Sequence, residues 1–178
     1  MTVHAFVDES QRGRLYLVCV VLVDPGDLPA VRVELRTMLM RGQRRLHFVN
    51  ESAHRRRGLL AAMSKLPVRA RVYTSTKKEP LARRHALAAV LTDSRATDIG
   101  RIVIERRETG QDTQERSQIA AAIRAGNAPA ALSYQHLPGY NEPLLWVADA
   151  VAWSYGAQGR WRSRVSGILE YVRDVDQR

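Results

Sequence analysis

At 178 residues with 45% hydrophobic content, the chain is long enough for one domain, residues 1–178, with a core that needs no staples. Lys+Arg number 28 against 18 Asp+Glu, and the resulting +10 charge points to a polyanionic partner, RNA or DNA, or else to a solvated basic surface. The single cysteine, Cys19, excludes an internal disulfide, and the longest apolar run, Leu15 to Val23, is far short of the ~20 residues of a membrane-spanning helix. The amino terminus lacks a basic segment followed by an apolar one, so no secretion, no membrane contact and a cytoplasmic location are expected.

Val3 to Val7 and Leu15 to Val23 are rich in β-branched residues and flank a short polar turn containing Gly13, which predicts an antiparallel hairpin. The first strand runs into Asp8, Glu9 and Ser10. Leu28, Val31, Leu35 and Leu39 recur at helical spacing, so a helix is predicted over 28–40 with Asp27 as its N-cap. Arg44 to Val49 reads as a short strand, and Asn50 to Leu66 as a helix burying Leu59, Leu60, Met63 and Leu66. Between Arg41 and Arg57 six arginines face a single acid, Glu51.

Val68 to Thr74 alternates like a half-buried strand, and Pro80 to Leu91 is predicted helical with Leu81, Leu87, Val90 and Leu91 inward. Arg101 to Glu105 is a compact apolar strand ending in an acid, as the first strand does. A helix over Thr113–Ala125 and a strand over Leu132–Leu137 follow. Pro138-Gly139 then turns the chain, Asn141 or Glu142 opens a helix with Pro143 in its first turn, and a last helix is predicted from Trp161 to Val172. The fold class is α/β: a mixed sheet that begins with an antiparallel hairpin and is covered by helices.

Three carboxylates are attached to apolar elements: Asp8, Glu105 and Asp149. The segment Pro143 to Trp153 is apolar apart from Asp149, whose neighbours one helical turn away, Leu145, Trp146, Ala152 and Trp153, offer it no partner. A buried carboxylate needs hydrogen bonds, a basic partner or a metal ion, because leaving it bare costs several kcal/mol. If the two strand ends and the helix converge, the three acids repel one another unless a cation intervenes, and Mg²⁺ or Mn²⁺ is suited to oxygen ligands. The ordinary alternatives are that Asp8 and Glu105 cap turns and that Asp149 pairs with an arginine.

Phe6-Val-Asp-Glu-Ser10 before a hydrophobic strand, Leu46-His-Phe48 with Glu51 and Arg56 behind it, a strand ending in an acid, and Leu144-Leu-Trp-Val-Ala-Asp-Ala-Val-Ala152 together resemble the domain of unknown function 3800 family. The resemblance spans nearly the whole chain and implies a ribonuclease H-like fold and a metal-dependent nuclease. It places Asp8, Glu105 and Asp149 as metal ligands and catalytic residues and implies 5′-phosphate and 3′-hydroxyl products. Gln11 stands where the family often has glycine, and Glu105 where aspartate is common, with Glu108 competing for that role. The other reading is a non-catalytic nucleic-acid-binding or scaffolding domain that retains the fold around a degenerate site.

His47, beside the basic stretch, is a candidate to orient a phosphate or water. Glu9, Ser10, Tyr134 and His136 are weaker polar candidates for the same site. Arg55, Arg56, Arg57 and Arg160 are candidates for the nucleic-acid backbone and Trp161 for base stacking; Arg56 has the alternative of pointing inward to a phosphate.

Overall fold

The computed structural model describes residues 2–107 and 109–177. Strands β1 (Val3–Arg12) and β2 (Leu15–Val23) form the predicted hairpin, with Arg12 paired to Leu15 across a two-residue loop. Gly13 opens that loop at φ +57, a conformation that costs a glycine nothing and that short hairpins require. Next come helix α1 (Leu28–Thr37), helix α2 (Ala53–Met63), strand β3 (Arg69–Ser75), helix α3 (Leu81–Ala96), strand β4 (Ile99–Glu105), helix α4 (Thr109–Arg124) and strand β5 (Ser133–Leu137). Helix α5 (Leu144–Ala157), the short helix α6 (Gly159–Ser163) and strand β6 (Leu169–Asp174) complete the order.

The six strands make one mixed sheet in the order β5-β4-β1-β2-β3-β6. Strand β2 is antiparallel to β1 and β3, whereas β1 with β4, β4 with β5 and β3 with β6 are parallel. The sheet separates two cores. Phe6, Leu17, Cys19, Val21 and Val103 pack against α1, α2 and α5 on one face. Val3, Ala5, Val7, Val18, Val20 and Ile104 pack against α3 and α4 on the other. The uninterrupted apolar run of β2 follows directly: the strand is central, so both of its faces are covered.

Helix α5 is buried along its length except at Tyr155 and Ala157, and it packs across β1 and β2. Its start is secured electrostatically. Arg32 on α1 donates from Nη2 at 2.7 Å and Nε at 3.2 Å to the buried Glu142, whose Oε1 also accepts the Leu144 backbone N–H at 3.2 Å. The N-cap is therefore Pro143, one or two residues later than the sequence predicts, and the capping acceptor comes from the residue before it.

Several predicted elements are corrected. Helix α1 ends at Thr37, and Asp27, although at its N-cap, makes no capping hydrogen bond through its side chain. Residues 44–49 are not a strand: 45–47 are irregular and Phe48–Asn50 is a 3₁₀ turn, so α2 begins after Ser52, whose Oγ caps the Arg55 N–H. Strand β3 is buried from Ala70 to Tyr73, because β6 lies beyond it and Glu170 neutralises the buried Arg71 with a 2.6 Å ion pair. Leu81 is exposed, and α3 and α4 each begin or end several residues beyond the predicted limits. The last predicted helix, 161–172, is instead α6, a 3₁₀ turn at Ser166–Ile168 and β6. Its apolar spacing mimics a helix, but pairing with β3 and the Tyr171 hydroxyl bonds to Tyr73 and Asp93 decide in favour of strand.

Arg32→Ala is expected to destabilise the protein by about 3 kcal/mol, the low end for breaking a buried pair because Arg32 keeps a third of its side chain in water. Urea denaturation measures this, and adding Glu142→Gln in the same chain should recover part of the loss by removing the unpaired charge.

Candidate active site

Strand parity and register bring the first two acids together. Phe6 and Val103 point to the α5 face, so Asp8 and Glu105, two residues further along β1 and β4, point there too. The two strands are parallel neighbours with Val7 opposite Ile104, so Asp8 and Glu105 sit side by side just beyond their last paired residues; Glu105 ends β4, whereas Asp8 does not end β1 as the sequence predicts, because β1 runs on to Arg12 in the hairpin. Helix α5 lies over this face and supplies Asp149. All three predicted acids therefore lie near one another, close enough for Glu105 and Asp149 both to act electrostatically on Asp8.

Asp8 holds its proton far more tightly than an ordinary aspartate. Burial is the largest cause, followed by the charges of Glu105 and Asp149; Arg45 opposes them. One Asp8 oxygen accepts the Glu9 backbone N–H at 2.7 Å. Cys19, opposite Asp8 in the hairpin, is pushed up in the same way by burial and then by Asp8 and Asp149, which keeps its thiol protonated.

The partner that the sequence of α5 lacks comes from residues 47 and 48. Asp149 Oδ2 accepts the backbone N–H of Phe48 at 2.7 Å and lies 3.2 Å from His47 Nδ1. The hydrogen bond to Asp149 raises the His47 pKa against the opposing effect of burial, which favours the imidazolium form beside the carboxylate. Glu105 is held by Arg45, whose Nη1 donates to Oε1 at 2.7 Å. Among the described residues no group of three or more His, Cys, Asp and Glu side chains is placed to hold a metal ion; Glu105 pairs with Arg45, and Asp149 with His47 and the Phe48 amide. Glu108, the competitor of Glu105, lies outside the described residues.

The basic candidates divide. Arg55 is committed internally: it donates to the buried Glu51 at 2.6 Å and to the Met38 carbonyl at 2.6 Å, which closes the loop before α2. Arg56 donates to the carbonyls of Phe48 at 2.8 Å and Val49 at 2.6 Å, with its guanidinium 4.2 Å from the Trp153 ring centroid. It thus clamps the turn whose amide binds Asp149. Arg57 and Arg160 are exposed. Trp161 packs edge-on against Trp153 at 5.4 Å, so its ring staples α6 to α5 rather than standing open for a base. Arg45 and the Phe48 amide were not foreseen as parts of the site. Residue type offered a hint for Arg45, one arginine among several, but a backbone donor has no signature in sequence.

Glu9, His136 and Tyr134 belong elsewhere. Glu9 points to the opposite face, where Arg83 bridges it to Glu115, and Arg107 forms an ion pair with it at 2.8 Å. Buried His136 Nε2 lies 2.8 Å from Glu115. Tyr134 packs against the core of that same face. Ser10 is half-buried on β1, one residue beyond Glu9. A cavity of about 530 Å³ between α3 and α4, lined by Arg83, Arg84, Gln111, Gln114, Glu115 and Gln118 among others, also lies on that face, across the sheet from the acids.

No family model matches the chain, nor does any curated protein or solved structure.

Asp8→Asn is expected to melt at a higher temperature than the parent in metal-free buffer at neutral pH. The folded state keeps the Asp8 proton to higher pH than the unfolded chain, so ionisation of the unfolded chain drains stability as pH rises above the ordinary carboxylate range. The gap should close as pH falls into that range, where both states are protonated. Each kcal/mol recovered is worth about 2–4 °C in a domain of this size. Asp149→Ala should lose stability by about 1–3 kcal/mol, because the Phe48 N–H is left buried without an acceptor, while Asp149→Asn, which retains an oxygen there, should lose less. Thermal melts across pH measure both.

Proposed function

We propose that the protein is a divalent-metal-dependent nuclease of ribonuclease H-like fold, related to the domain of unknown function 3800 family and acting on phosphodiester bonds of RNA or DNA. The observation that carries this reading is the convergence of Asp8, Glu105 and Asp149, from two adjacent parallel strands and the buried helix, around an aspartate that resists ionisation. Three carboxylates collected in a poorly solvated place are unfavourable on their own and become favourable around a cation, and perturbed acids of this kind mark functional sites. The sheet order, with one antiparallel strand flanked by β1 and β3 and the acids on the central parallel pair, supports the ribonuclease H-like reading.

The donor set is chemically suited to a hard ion: carboxylate oxygens from Asp8, Glu105 and Asp149 would hold Mg²⁺ or Mn²⁺ once Glu105 turned from Arg45 and Asp149 from His47, since as they stand they form no such group. When bound, such ions supply Lewis-acid polarisation of the phosphodiester and make a bound water easier to deprotonate than bulk water. The chain's own groups do the rest. Arg45 balances the charge of Glu105 and presents a guanidinium beside the acids. His47, with 47% of its side chain exposed and one ring nitrogen on Asp149, is placed to carry a proton to or from a departing oxygen. Exposed Arg57 and Arg160 offer charge to a nucleic-acid backbone.

A second reading rests on a specific observation. Glu105 and Asp149 already have protein partners, Arg45 for one and His47 with the Phe48 amide for the other, which suits a nucleic-acid-binding domain that has lost its ion.

Labelled single- and double-stranded RNA and DNA incubated with Mg²⁺ or Mn²⁺ separate the two readings. The nuclease reading expects cleavage that falls to background in Asp149→Asn, together with a melting temperature of the parent that climbs with Mn²⁺ concentration. Binding without cleavage, and no response to Mn²⁺, would leave the non-catalytic domain. Cleavage that survives in Asp149→Asn would remove the site assignment.

A further inference from the structure

Resting on the nuclease reading, we infer that Tyr140, backed by Arg44, is a stacking platform for an unpaired nucleobase at the edge of the carboxylate site, and that the natural substrate strand is therefore single-stranded there. Tyr140 is 47% exposed and is the one aromatic among the large hydrophobic side chains that stand open among the described residues. The guanidinium of the exposed Arg44 lies 4.7 Å from its ring centroid. A cation over an aromatic ring fixes the ring's orientation and adds positive charge where a nucleotide's phosphate would follow its base.

The position of Tyr140 matters more than its exposure. Its neighbour Gly139 is pressed against Glu105 and Arg45: a Cβ there would come within 2.5 Å of Glu105 Oε1 and 2.6 Å of Arg45 Nη1. The loop is held by the Trp146 indole, which donates to the Gly139 carbonyl at 2.5 Å, and by the Asn141 N–H on the Pro138 carbonyl at 2.9 Å. On the irregular segment before Phe48, Arg44 precedes Arg45, the residue paired with Glu105. Both halves of the platform are thus one residue from groups that touch a site acid, so a base on Tyr140 has its own phosphates beside the carboxylates. A base within a duplex has both faces covered by its neighbours and cannot use such a ring. An unpaired base can, and stacking tolerates any of the four bases.

The test is equilibrium binding by fluorescence anisotropy, using short labelled single strands of RNA and DNA and the matching duplexes, in EDTA so that cleavage plays no part. Tyr140→Ala should weaken single-strand binding by about tenfold or more while leaving duplex binding unchanged. Tyr140→Phe and Tyr140→Trp should bind like the parent, because the ring and not the hydroxyl carries the contact. Since Tyr140 is a surface side chain, the variants should melt with the parent, which separates binding from folding. Unchanged single-strand binding in Tyr140→Ala, an equal loss on duplexes, or a Phe variant as weak as the Ala variant would each overturn the platform. If the parent cleaves in Mn²⁺ but Tyr140→Ala binds single strands normally, only the platform fails. A parent that neither binds nor cleaves any strand removes the nuclease reading and the platform with it.

Discussion

Much of this structure depends on how a carboxylate can exist inside α5. The helix is buried on nearly every side, and its neighbours one turn away from Asp149 are apolar, so nothing within it can satisfy the charge. The solution is a backbone amide and an imidazole delivered from residues 47 and 48. That delivery requires the chain between α1 and α2 to lie irregularly over the end of the sheet, and the surrounding arginines make it do so. Arg56 binds the carbonyls of Phe48 and Val49, and Arg55 ties Glu51 to the Met38 carbonyl. A stretch that reads as a basic surface is, in large part, the brace that holds one amide against one carboxylate.

Asp8 and Glu105 obey a different constraint. Their encounter is a matter of pleat parity and register, and no local feature resists it: two parallel neighbours that carry acids on the same face one step beyond their last paired residues must present those acids together. The cost appears as the reluctance of Asp8 to ionise. Structures tolerate such conflicts chiefly where function needs them, because replacing a buried repelling acid by a neutral side chain is an accessible route to greater stability. Arg45 offsets the repulsion only in part, through Glu105.

The opposite face holds a second concentration of charge that behaves quite differently. Arg83 lies between Glu9 and Glu115, Glu115 also meets His136, and Arg107 joins Glu9 to Glu79. Here acids and bases alternate, so each charge has a neighbour of opposite sign, and Glu115 ionises more readily than usual despite its burial because His136 and Arg83 face it. Adjacent residues of β1, Asp8 and Glu9, therefore experience opposite electrostatics because the strand turns them to opposite faces. One face alternates acids and bases throughout; the other pairs Glu105 with Arg45 and Asp149 with His47 but leaves Asp8 beside two acids.

The sequence alone determined the elements whose residues repeat a clear pattern under full burial: the hairpin, the central apolar strand, β4 with its terminal acid, and α5 around Asp149. It also singled out the three acids, because a carboxylate attached to an apolar element is conspicuous wherever it occurs. Tertiary structure decided what had no local cause. The stretch 44–49 became irregular because its backbone serves Asp149, more than a hundred positions away in the chain. Residues 169–174 became a strand because β3 offered an edge with Arg71, Tyr73 and Asp93 waiting for Glu170 and Tyr171, although the apolar spacing there suits a helix equally well. Local periodicity reports which residues seek burial. It does not report which backbone groups will be asked to satisfy a distant charge or an open edge, and those demands exist only once the chain has folded.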